Sequence, residues 1–116
     1  MARPLAHYSP SMRAGDWLFV SGQVGLSEGG LVEGGSAAEA RQALANLERV
    51  LADGGASLTD VVKCTVFLAD IDDFADVNAE YAAVFGDHKP ARSMIAAAAL
   101  PIGARVEIEA IAHLAT

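Results

Sequence analysis

The sequence predicts an α+β fold, a mixed β-sheet with two helices packed on one face. Two amphipathic helical patterns, over residues 36–53 and 74–85, alternate with a dense β-branched run, Val61 to Leu68. Strand-like segments lie at both ends of the chain, so the order is strands, helix, strand, helix, two strands. At 116 residues the chain reads as one domain, residues 1–116, within the usual range of roughly 100–150.

Met12-Arg13 and Leu18-Phe19-Val20 flank the turn signal Ala14-Gly15-Asp16, which predicts a β-hairpin. Its second strand runs on through Ser21-Gly22-Gln23-Val24-Gly25, where the glycines mark a bend or a close approach to the backbone. Gly25 to Gly35 is glycine-rich and acidic, with Leu31-Val32 as an apolar pair, and predicts a surface loop containing a short strand. Ser36-Ala37-Ala38-Glu39 has the capping-box pattern of a helix start. Ala40, Ala43, Leu44, Leu47, Val50 and Leu51 then form a buried stripe, leaving Arg41, Glu48 and Arg49 solvated. Gly54-Gly55 is the stop, with glycine in the left-handed cap position.

Val61 to Leu68 is a strand with Val62, Cys64, Val66 and Leu68 facing the helices and Lys63 and Thr65 facing away. Asp72-Asp73 supply acids to the positive end of a second helix. Phe74, Val77, Tyr81, Val84 and Phe85 are on its buried side, and Gly86 ends it. Asp87-His88-Lys89-Pro90 is a short polar link to a strand in which Arg92, Met94 and Ala96 share one face. In the last strand Val106, Ile108, Ala110 and Ala112 point to the core, while Arg105, Glu107, Glu109 and Ile111 point away. The sheet's second face therefore mixes charges with apolar groups, as expected of a subunit interface containing a pocket.

Bulk properties narrow the function classes. A net charge of −7 repels phosphate backbones and anionic lipid, which argues against nucleic acid and membrane surfaces as partners. An apolar share of 53% suggests that some surface is hidden in an oligomer. Cys64 is the only cysteine, so no intrachain disulfide forms, and it reads as a core filler. Residues 1–7 carry no apolar run of signal-peptide length, and Ile95 to Ile102 is far short of the ~20 residues of a membrane span. A cytoplasmic protein is expected. His7, His88 and His113 are too scattered for a metal site, Ser21 lacks a nucleophile elbow, and the glycine-rich loop lacks a phosphate-loop signature.

The stretch from Pro90 to Glu109 carries the chemistry. Arg92, Glu107 and Glu109 stand out in an otherwise small and apolar run. A guanidinium beside an apolar strand suits carboxylate recognition, and a glutamate nearby handles protons. The alternative is that Arg92 and Glu107 simply neutralise each other in an ion pair.

Several blocks in order resemble the RidA/YjgF family of reactive-intermediate deaminases over nearly the whole chain. They are Tyr8, Val20-Ser21-Gly22-Gln23, Ala40-Arg41-Gln42 with Leu44 and Asn46, Val61-Val62-Lys63 with Val66-Phe67, Asp73-Phe74 with Val77-Asn78 and Tyr81, Pro90-Ala91-Arg92-Ser93, and Glu107 to Ala112. The resemblance implies a chorismate-mutase-like fold assembled as a homotrimer, with three pockets at the subunit clefts and no metal or organic cofactor. It also implies hydrolysis of 2-imino or enamine acids to 2-oxo acids and ammonia, as by a 2-iminobutanoate/2-iminopropanoate deaminase.

Residue by residue, Arg92 matches the arginine that binds the substrate carboxylate, and Glu107 the glutamate associated with the attacking water. Tyr8 and Ser21 match pocket residues, and Asn78 a position near the cleft. Met94 stands where many deaminating members have cysteine, which bears on substrate binding if the side chain shapes the pocket. The link from Gly86 to Lys89 is short and lacks the aromatic that often precedes Pro-Ala-Arg-Ser. These departures keep open two alternatives: a non-catalytic trimer that binds small metabolites, or a hydrolase of another small imine-like metabolite.

Overall fold

The alternating apolar strands assemble into a five-stranded sheet with the order β1-β2-β7-β5-β6. The computed structural model describes residues 6–114, so the part of the N-terminal reading that rests on residues 1–5 lies outside it. The strands are β1 (Ser11–Ala14), β2 (Trp17–Val24), β5 (Val61–Leu68), β6 (Ala91–Ala96) and β7 (Val106–His113). A separate two-stranded ribbon, β3 (Leu26–Ser27) with β4 (Gly30–Leu31), fills the glycine-rich loop. Only β6 runs parallel to its neighbour, β5, because helix α2 (Phe74–Phe85) provides the crossover between them. The other helix, α1 (Gly35–Asp53), lies beside α2 on the same side of the sheet.

The predicted stripe of α1 is buried in full, from Ala40 to Leu51. It packs on Leu18 and Val20 of β2, on Cys64, Val66 and Leu68 of β5, and on the inward residues of β7. Gly54 is needed where α1 ends, because a Cβ there would lie 2.6 Å from Leu18 Cδ2. The left-handed position is Gly55 (φ 85°), while Gly54 (φ −90°) is not left-handed. The Ala56 N–H donates to Leu51 O at 2.8 Å, completing a Schellman cap.

Four local readings are corrected. The capping box does not form: Gly34 (φ 118°) precedes the helix, and the buried Glu39 carboxylate accepts from the Arg105 backbone N–H at 2.8 Å. The loop leading into β7 has recruited that acid, which a local pattern cannot reveal. Val62 is exposed and Val61 is buried, because the pairing of β5 with β7 shifts register between Val61 and Lys63 and resets the alternation. Phe74 is 40% exposed rather than buried with Val77 and Tyr81. Ahead of α2, Asp70 caps the turn by accepting from the Asp72 N–H at 2.9 Å. Asp72 and Asp73 belong to that turn, and Asp76 is the acid in the first turn of α2.

On the other side of the sheet Met12, Trp17, Phe19 and Ile95 are all more than 40% exposed. This is the mixed second face expected from the sequence, with Glu107 and Glu109 on it.

Candidate functional site

Two separate constellations result, one on each face of the sheet. In the parallel pairing of β5 with β6, Arg92 lies opposite Cys64, whose side chain is in the core, so Arg92 projects toward the helices. There its Nη1 donates to Asn78 Oδ1 at 2.7 Å. The guanidinium carbon lies 4.8 Å from the Tyr81 ring centroid and 5.8 Å from that of Phe74. Aromatic faces attract a cation without neutralising it, and Asn78 fixes the fork's orientation.

No carboxylate among the described residues pairs with Arg92. Among the described residues the ion pairs are Arg41 with Glu80 at 3.0 Å and Arg105 with Asp73 at 3.9 Å. The half-buried Arg92 opens into a cavity of about 380 Å³, lined also by Asn78, Tyr81, Phe85, His88 and Lys89. Among the described residues no Asp or Glu lines it. Beneath it, burial pushes the Tyr81 phenol far above its usual range, and burial likewise pushes the Cys64 thiol up. Both stay protonated at neutral pH, consistent with Cys64 as a core filler.

Glu107 stands on the opposite face. It pairs with Val24 of β2 and Phe67 of β5, between two strands. Burial, and then the like charge of Glu109 two residues on, push its carboxyl above the ordinary glutamate value. A raised pKa leaves more of the neutral acid, a form that can donate a proton. Its cavity, about 390 Å³, is lined by Tyr8, Ser21, Gly22, Pro101 and Glu109. The pairing of β2 with β7 shifts register between Val20 and Gln23, which aims this segment at the site. Ser21 Oγ donates to Ser9 O at 2.7 Å and its N–H to Pro10 O at 2.9 Å, holding the approach to β1, and so Tyr8, against β2.

The sequence-predicted residues therefore separate into two groups. Tyr8, Ser21 and Glu107 come together, as do Arg92 and Asn78, but within one chain the two groups do not meet. The Arg92–Glu107 ion pair does not form. Met94 shares the helix-side face with Arg92 and packs against the core. The link from Gly86 to Lys89 does border the Arg92 cavity, and His88 Nε2 donates to Val61 O at 2.7 Å. That bond anchors the link to the start of β5.

Three contributors were missed as site residues. Gly22 lets the Glu107 carboxylate lie against β2, since a Cβ there would collide with Glu107 Oε2. Its signal was a glycine inside a strand, the mark of close approach. Phe74 and Tyr81 carry Arg92, and they were hidden among residues read simply as core.

Residues 1–114 match the family model described as Endoribonuclease L-PSP. The 2-iminobutanoate/2-iminopropanoate deaminase of Rattus norvegicus is 50% identical over 107 residues, 90% of this chain and 78% of the relative. The crystal structure of RidA from the Antarctic bacterium Psychrobacter sp. is similar, with a TM-score of 0.92 and 36% identity over 97% of this chain and 93% of that one. That of E. coli TdcF with bound serine gives a TM-score of 0.91 and 33% identity, over 97% and 92% of the two chains.

Proposed function

The chain belongs to the Endoribonuclease L-PSP family, the YjgF/RidA family, and from that premise we propose that it hydrolyses 2-imino acids to 2-oxo acids and ammonia. The observation that carries the reading is the Arg92 guanidinium: half-buried, oriented by Asn78 and aromatic rings, and without a carboxylate partner. A guanidinium held in a fixed orientation, partly out of water, suits an anion, and a substrate carboxylate supplies that partner. The deaminase name of relatives at about half identity and the serine bound by TdcF, an amino acid with a carboxylate, support the same class of substrate.

The second half of the site comes from another copy. Exposed Met12, Phe19 and Ile95 on the Glu107 face support an assembly of copies, and the family resemblance makes it a homotrimer in which the Arg92 group of one copy faces the Tyr8, Ser21 and Glu107 group of the next. Arg92 binds the carboxylate and holds the imine carbon in place. Water attacks that carbon, and its proton passes through Glu107 to the imine nitrogen. The tetrahedral carbinolamine then loses its hydroxyl proton to the nitrogen by the same shuttle, and the carbon–nitrogen bond breaks to release ammonia and the 2-oxo acid. A carboxyl with a raised pKa suits both transfers. Tyr8 and Ser21 wall the pocket, and Asn78 and Met94 support the arginine strand and its neighbour helix.

RNA fits the molecule poorly as a substrate, because a net charge of −7 opposes the approach of a phosphate backbone. The test is to generate 2-iminopropanoate and 2-iminobutanoate in solution with an amino-acid oxidase and follow their decay. The protein should accelerate decay, and Arg92→Ala should lower kcat/KM by about 100-fold, through KM above all, as expected for loss of a charge-assisted fork. No acceleration with any small 2-imino acid, or full activity in Arg92→Ala, would overturn the proposal.

A further inference from the structure

The wall that each chain contributes to the Arg92 cavity carries two bases. The chain has 8 basic and 15 acidic side chains, yet two of the bases, Arg92 and Lys89, line this one cavity, and none of the described residues that line it from the same chain is acidic. Glu80, on the same helix, is taken up by Arg41 at 3.0 Å. The backbone at Lys89 is restricted from both sides, by Pro90 after it and by His88 before it, which is tied to Val61 O. At about 380 Å³ the cavity falls among those that take drug-sized ligands, ~300–1,000 Å³, so a three-carbon acid leaves part of it unfilled. Lys89 stands three residues before Arg92, just ahead of β6, and both residues line the cavity.

We infer that this cavity takes a 2-imino acid bearing a second carboxylate, with the α-carboxylate on Arg92 and the distal one on Lys89. The inference rests on the proposed imine hydrolysis for its substrate class, and it adds a specificity residue, Lys89, on the link from Gly86. A Lys ammonium is a point charge on a flexible stem, suited to a distal group whose position varies with chain length. Small monocarboxylic imines still engage Arg92 but leave Lys89 in water.

Calorimetry with the full chain and two stable 2-oxo acids of equal length tests this, since they differ only in the distal carboxylate. 2-Oxopentanedioate should bind about fivefold more tightly than 2-oxopentanoate, the upper range for an exposed charge pair. Lys89→Ala should abolish that preference, Lys89→Glu should reverse it, and raising the salt concentration should shrink it. Lys89 is exposed, so these variants keep the fold. Equal affinities in the unmodified protein, or a preference that survives Lys89→Ala, would overturn the inference. If the monoacid binds and imines are turned over, such a result removes the diacid subsite alone. If neither acid binds and no imine is hydrolysed, the proposed function falls with it.

Discussion

The two faces of the sheet are built from similar residues but are completed differently. On the helix side Leu18, Val20, Val66 and Ile108 meet the leucines of α1 and are at most 4% exposed. On the other side Met12, Trp17, Phe19 and Ile95 are 43–62% exposed, beside two glutamates. The first face closes within one chain; the second is left exposed. The candidate site is divided along the same line, with Arg92 on the helix side at the sheet edge and Glu107 on the open face. On the proposed reading, each chain thus carries two half-sites and no complete one.

Substitutions on each face should separate folding from assembly. Leu47, fully buried on α1, should cost about 3 kcal/mol as Leu47→Ala, seen as a lower denaturation midpoint. Phe19→Asp on the open face should leave the circular dichroism intact and shift the protein to monomer mass, with activity lost alongside. Loss of fold in Phe19→Asp would erase the contrast between the faces.

Glu107→Gln keeps the shape of the open-face half-site but removes the proton carrier, and should lower kcat about 100-fold with little change in KM. Gly22→Ala should lower kcat by about tenfold with a small stability change, because the collision is with the end of a flexible carboxylate rather than with backbone. The smallest effect is on stability. The folded chain holds the Glu107 proton to higher pH than the unfolded chain does. Between the two pKa values the unfolded state binds fewer protons, so this contribution to stability is lost as pH rises through the folded value. Melting temperatures of Glu107→Gln should lack that component.

Much of this organisation was legible because it is periodic. Val61 to Leu68 was found as a strand, the turn at Gly15 as a hairpin, and Ala40 to Leu51 as a buried stripe, all from local spacing. Val62 was misplaced because a register shift is a property of two strands, not one. Glu39 was misassigned because its partner, the Arg105 N–H, lies 66 residues away. The faces of Arg92 and Glu107 show the same limit. Alternation ranks residues within each strand, but only the pairing of Cys64 with Arg92 and of Phe67 with Glu107 fixes their opposite sides.

That opposition can be tested with two inactive proteins. Arg92→Ala and Glu107→Gln chains, carrying different tags and co-assembled in equal amounts, regain intact sites only if each site joins residues of different copies. Random assembly in a closed ring of three predicts recovery of about a quarter of the unmodified activity in the mixture. A mixture no more active than the two variants measured separately would contradict a site shared between subunits.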